Sequence, residues 1–231
     1  MTPREVIKTI SGLLIGMFVS ILAGTVVSTS LPVIVHDIGG DQSAFTWVVT
    51  STLLTTAIST PIWGKLADLF NRKTLIQIAM VIFVGATAVA GFAQDPATMI
   101  TFRAFQGIGA GALMSLPLAI MADILAPRER AKYQGYFFAV FGISSLIGPL
   151  VGGLFAGAHE ILWISGWRWV FLINLPIGLI ALGMVIAFLH LPKVAKHDNP
   201  RIDWWGATAV IVALVPLLLV AEQGREWGWA S

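Results

Sequence analysis

Side chains able to do chemistry are few in this chain, and they gather at the edges of long uncharged runs. Asp68, Arg72 and Lys73 fall within the ten residues that open at Gly64. A carboxylate and a guanidinium so placed can form charge-assisted hydrogen bonds that tie helix ends together. A solvated basic loop is the other reading of the same residues. Arg103 is different, because it lies inside an apolar stretch. An arginine at membrane depth costs at least about 2.5 kcal/mol on insertion scales, so it is expected to face a cavity or a partner. It also lies only eight residues beyond Asp95, which leaves snorkelling to the interface open. There is no cysteine, and His36, His159, His190 and His197 lack the spacing of metal ligands. No nucleophile stands beside a base and no carboxylates are paired within the runs, so neither enzyme chemistry nor a cofactor is expected.

Composition names the elements that must hold these residues. Of 231 residues, 57% are hydrophobic and 11% charged, where a soluble domain carries about 25% charged residues. Too little polar surface exists to keep the chain in water, which excludes soluble folds. The isoelectric point of 9.2 accompanies a formal charge of only +2, with Lys and Arg scattered in short clusters, so a nucleic-acid partner is not expected. Seven stretches are free of charge but for Arg103: 9–35, 42–64, 74–94, 96–122, 133–158, 169–189 and 204–221. A helix of about 20 residues crosses the hydrocarbon core of a bilayer, and these runs lack the alternating polarity of barrel strands. The predicted fold class is therefore all-α, a polytopic membrane helix bundle. The first run is too long for a cleaved leader and is expected to stay as a helix.

Basic residues orient the bundle. With a cytoplasmic N-terminus, eleven of the fourteen Lys and Arg fall inside, two outside, and Arg103 within a helix, as the positive-inside bias requires. Residues 1–191 form a six-helix unit, 192–203 a polar cytoplasmic link, and 204–231 a seventh helix with the start of an outside loop.

Small residues mark where helices can meet or bend. Gly107 and Gly111 follow Arg103 at a spacing that permits close helix approach. The fifth run carries Gly142, Gly148, Pro149, Gly152 and Gly153, a set that suits either a bendable helix or a kinked packing helix.

Together these segments resemble the major facilitator superfamily of secondary transporters. Residues 64–73 resemble its Gly-x-x-x-Asp-x-x-Gly-Arg-Lys signature, residues 103–107 its Arg-x-x-Gln-Gly element, and residues 148–153 the Gly-Pro-x-x-Gly-Gly pattern of its antiporters. Residues 167–178 and 202–206 are similar to the fourteen-helix drug:proton antiporter subfamily. The resemblance spans the whole chain. It implies a six-helix N-terminal bundle plus one further transmembrane helix, in the plasma membrane (the inner membrane of a bacterial cell). It also implies efflux of lipophilic or cationic drugs in exchange for protons, with sodium as the other coupling ion.

By the same resemblance Gly64, Asp68, Arg72 and Lys73 belong to a cytoplasmic gate with Asp123 as the acid that receives Arg72, and Lys73 faces phosphate headgroups. Arg103 matches an arginine that supports proton coupling. Substrate contacts are expected on the inner faces of helices one, two, four and five, with Thr25, Ser28, Trp47, Gln106, Met114 and Phe138 as candidates. Core or lipid packing is the alternative for the Met, Phe and Trp among them. Three features depart from the pattern. Asn71 replaces the signature glycine, Ala23 replaces an aspartate in helix one, and the chain supplies one bundle where the family has two. The expected partners are thus a small-molecule substrate, protons or sodium, the lipid bilayer, and a C-terminal half or second chain. Transport of a neutral or anionic metabolite, and a non-transporting seven-helix scaffold or receptor, are the other readings.

Overall fold

The computed structural model describes residues 3–191 and 204–228. All seven expected stretches are helical. They form α1 (Pro3–Asp37), α2 (Gln42–Leu69), α3 (Arg72–Gly91), α4 (Pro96–Ile124), α5 (Pro127–Gly157), the pair α6 (Trp169–Leu172) and α7 (Asn174–Phe188), and α8 (Trp204–Trp227). The predicted link 192–203 lies outside the described residues. By length and composition, α1, α3, α4, α5 and the segment Gly166–Phe188 can cross a membrane. The 28-residue α2 is long enough, but its nine Ser and Thr lower its hydropathy. In α8 the apolar part is Ile211–Ala221.

Local chemistry explains the helix ends. Asp41 caps α2 by accepting from Ala44 N at 2.8 Å, and Asn71 caps α3 by accepting from Lys73 N at 2.9 Å. Asp95 accepts from both the backbone N–H and the hydroxyl of Thr98, at 2.8 and 2.7 Å, and Pro96 then begins α4. Several helices outrun their uncharged stretch. α1 begins at Pro3 and α5 at Pro127, because charge marks where lipid ends and not where helix ends. The expected sixth helix divides at Ile173, where Pro176 has no N–H to give the Leu172 carbonyl.

One unpredicted element joins α5 to α6. Strands β1 (Glu160–Ile161) and β2 (Ile164–Ser165) form an antiparallel hairpin, followed by a single 3-10 turn, Gly166–Arg168. That turn is bound to its surroundings. Trp167 Nε1 donates to Asp37 Oδ2 at 2.6 Å, and Arg168 Nη1 donates to the carbonyls of Gly91 and Ala93 at 2.9 and 3.0 Å.

Within the bundle α4 packs between α2 and α3, α1 packs between α5 and α7, and α8 lies against α2. Lipid supplies little hydrophobic drive between helices, so small residues and polar bonds must join them. A Cβ on Gly107 would strike Thr55 and the Thr52 carbonyl, and one on Gly111 would strike Ser59. The α2 hydroxyls opposite use that closeness. Thr52 donates to the Arg103 carbonyl at 3.1 Å, Thr56 to the Gly107 carbonyl at 3.2 Å, and Trp63 Nε1 to the Ile108 carbonyl at 2.8 Å. Three apolar clusters lie along the bundle among the described residues. One, at the Arg72 end, is built around Met80, Phe83, Leu113 and Leu116, another, at the hairpin end, around Ile34, Met99, Trp167 and Phe171, and a smaller third around Ile10, Met121, Leu125 and Phe137.

Candidate functional site

Arg72 gathers the Asp68–Asp123 neighbourhood. From the first residue of α3 its Nη1 lies 2.8 Å from Asp123 Oδ2 at the end of α4, and its Nη2 lies 3.8 Å from Asp68 Oδ1 at the end of α2. The same guanidinium donates through Nε to the Ala67 carbonyl at 3.0 Å and through Nη1 to the Ala119 carbonyl at 2.8 Å. Helix C-termini end in unpaired carbonyls and carry about half a negative charge. Arg72 therefore neutralises two C-terminal ends and one carboxylate at once, from a helix N-terminus that would otherwise repel it.

Lys73 continues the arrangement onto another helix. Its Nζ donates to the Ile186 carbonyl at 2.9 Å, so it caps the end of α7. The segment that opens at Gly64 is helix for its first six residues. Gly64 is helical with open space around it, α2 runs on to Leu69, and the chain reverses at Phe70 and Asn71. Asn71 has φ of −64°, which any residue adopts, so the turn does not require the signature glycine.

Arg130 was not singled out from sequence. Its Nη2 donates to the Ala122 carbonyl at 2.7 Å and its Nε to the Leu125 carbonyl at 3.2 Å, completing the end of α4 from the first turn of α5. Its signal was a basic residue just past a helix end. Thr9 belongs to the same belt, donating to the Phe188 carbonyl at 2.9 Å.

Arg103 points into the bundle and does not snorkel, being 3% exposed. Its Nη1 donates to Gln106 Oε1, Gln106 Nε2 donates to Thr87 Oγ1 at 2.7 Å, and Thr87 donates to the Phe83 carbonyl at 2.6 Å. The chain of bonds links α4 to α3. Arg103 Nε has no partner, and no carboxylate among the described residues pairs with this guanidinium. Ala23, where the resemblance places an aspartate, is 2% exposed within an apolar cluster.

The six substrate candidates are not brought together. Gln106 is buried in the Arg103 network, and Thr25 is taken up by packing, its hydroxyl lying against Gly148 and donating to the Leu22 carbonyl at 3.1 Å. Ser28 is exposed but donates to Gly24 in its own helix at 2.9 Å. Trp47 is exposed, Met114 half-buried, and Phe138 stands 76% exposed on α5. Beside Phe138 lies a hollow of about 370 Å³ lined by Met17, Leu118, Gln134, Phe137, Phe138 and Phe141. It joins α1, α4 and α5, and its volume is that of a small-molecule pocket.

The helix-five motif divides in two. A Cβ on Gly148 would strike Thr25, and one on Gly152 would lie 2.7 Å from the Val26 carbonyl. Ser30 seals the contact, donating to the Gly152 carbonyl at 2.9 Å. Gly142, Pro149 and Gly153 are exposed, with open space around both glycines.

Comparison with known proteins agrees with this architecture. The pattern describing the Major Facilitator Superfamily matches residues 13–224. A Bacillus subtilis protein named multidrug transporter protein MdtP is 40% identical over 96% of this chain, and multidrug resistance protein 3 of the same organism is 37% identical over 95%. The chain spans only 40% and 41% of the lengths of those two relatives. Among solved structures, an inward-facing bacterial homologue of the human lysosomal transporter Spinster superposes with a TM-score of 0.72 at 19% identity, covering 88% of this chain and 47% of that one. The proton:xylose symporter XylE gives 0.70 at 16% identity, over 96% of this chain and 53% of that one. A multi-pass helix bundle, a family pattern matched along most of its length and relatives at this identity agree: the chain belongs to the Major Facilitator Superfamily.

Proposed function

We propose that this chain is the N-terminal half of a secondary transporter that expels lipophilic or cationic drugs from the cell in exchange for protons. A C-terminal half, or a second chain, completes the translocation cavity. The bundle lies in the plasma membrane with its N-terminus and its Arg72 end toward the cytoplasm. The observation that carries the reading is the single guanidinium of Arg72, which holds the ends of α2 and α4 and Asp123 together. Such a contact makes the ends of those helices one rigid edge of the bundle. It suits a gate in a protein that alternates its access by rocking one bundle against another. The names of the two Bacillus subtilis relatives, a multidrug transporter and a multidrug resistance protein, support drug transport, and the hollow beside Phe138 is apolar and aromatic, as a lipophilic cation requires. The test is extrusion of a cationic dye by vesicles holding the full-length chain, before and after Asp123→Asn. Loss of extrusion with the protein still folded supports the reading, and unchanged extrusion removes Asp123 from the gate.

A second reading has its own observation. Arg103 is buried without a carboxylate partner among the described residues, and Ala23 supplies none. A cargo that is neutral or anionic fits that charge balance better than a cation. The same vesicles loaded with an organic acid, an amino acid or a sugar separate the two readings, because each predicts a different competing solute.

A further inference from the structure

We propose that the β1–β2 hairpin is a lipid anchor, with Leu162 and Trp163 seated in the interfacial layer of the leaflet at the hairpin end of the bundle. Its tip is apolar and bare, since Leu162 is 67% and Trp163 90% exposed. Both occupy left-handed backbone, at φ of 51° and 62°, where glycine or asparagine is the cheap choice. Large apolar side chains in that conformation cost conformational energy and gain nothing from water, so a non-aqueous surface must repay them.

The tip is also held in place. Glu160 pairs with Ser165 and Ile161 with Ile164, Trp169 Nε1 donates to the Ile161 carbonyl at 3.1 Å, and Gly166 N donates to the His159 carbonyl at 3.3 Å. Gly166 sits so close to the Ala158 carbonyl that no Cβ fits there. The hairpin thus cannot swing away from the end of α5.

Depth follows from chain length. The uncharged run of α5 ends at Ala158, and His159 and Glu160 are the first ionisable groups beyond it. Two strand residues then rise about 7 Å, and the polar layer on each side of the hydrocarbon core is about 5–7 Å thick. Leu162 and Trp163 fall within or at the edge of that layer, the position that the amphipathic indole ring prefers. The occupant is therefore the headgroup layer of the bilayer, and the inference does not depend on cargo or coupling ion.

These 231 residues carry no cysteine, so a direct test is possible once any cysteine elsewhere in the full-length protein is replaced. Trp163→Cys, carrying a nitroxide, is reconstituted as the full-length chain in liposomes, with Glu129→Cys as the aqueous reference. Collisions with oxygen are compared with collisions with a water-soluble nickel chelate. The expected ratio of oxygen to nickel at 163 is at least about threefold that at 129. Equal ratios would put the tip in water, and low collision with both reagents would put it against protein; either result overturns the proposal. In the unlabelled protein, lipids brominated near the headgroup are expected to quench a component of the fluorescence that Trp163→Phe removes. An identical quenched fraction in both proteins would equally refute the anchor.

Discussion

Arg72 owes its role to geometry more than to charge. Its fork reaches two carbonyls and a carboxylate together, which the single point charge of lysine cannot do. Arg72→Lys is expected to cost about 1–3 kcal/mol of stability in detergent and to reduce dye extrusion at least about tenfold, as read by thermal melts and vesicle transport. Arg103 should behave in the opposite sense. Its Nε is buried and unpaired, so the double variant Arg103→Met with Gln106→Leu removes a buried polar network of which one donor is unsatisfied. The expected result is equal or higher thermal stability with transport lost, the pattern of a residue kept for function at a cost to the fold. Asp95 supplies a pH test. The Thr98 backbone N–H, and then its hydroxyl, hold the Asp95 carboxyl below its usual 3.8. A depressed folded-state value means that its contribution is present above 3.8 and is lost as pH falls through the folded value. Asp95→Ala is accordingly expected to melt earlier at neutral pH, with the gap to the parent closing under strong acid.

Between helices, the contrast among glycines is the test of packing. Gly107 and Gly111 have no room for a Cβ against α2, whereas Gly142 and Gly153 face open space. Gly107→Val and Gly111→Val are expected to lose about 1–3 kcal/mol through overpacking. Gly142→Ala and Gly153→Ala are expected to gain up to about 1 kcal/mol from helix propensity. Thermal melts of the four variants in one detergent decide it, and equal losses at all four would show that the helix contacts are not as described. The glycines of α4 were legible as a packing face because their spacing alone predicts close approach. Their partner was not, since the stripe of Thr52, Thr56, Ser59 and Trp63 on α2 becomes meaningful only once α4 lies beside it. The hairpin was missed for a related reason. Its strands are two residues each, too short for any alternation of polarity to register.

At the scale of the whole bundle, the described residues leave one side of α5 uncovered. α5 buries only Phe137, Ser144, Gly148 and Gly152, while Phe138, Phe141, Leu146, Leu150 and Leu154 stand exposed. If that side admits cargo, a single cysteine at Phe138 should react with a water-soluble maleimide and be protected at least about threefold by a lipophilic cation, as read by labelling rate. Equal rates with and without the cation would remove the hollow from the cargo path. Sequence by itself determined that the chain lives in lipid and where its seven helical stretches lie, though not where the helices end. Those properties follow from uncharged length and from the cost of burying charge, both of which are local. The Arg72–Asp123 pair was expected from the resemblance, but only the tertiary structure decided that Arg72 also holds the Ala67 and Ala119 carbonyls, that Lys73 caps α7, that Arg103 turns inward without a carboxylate, and that Thr25 and Gln106 serve packing and a buried network. Each of these depends on which helix lies beside which, and hydrophobicity carries little of that information in a membrane, where every helix surface is apolar.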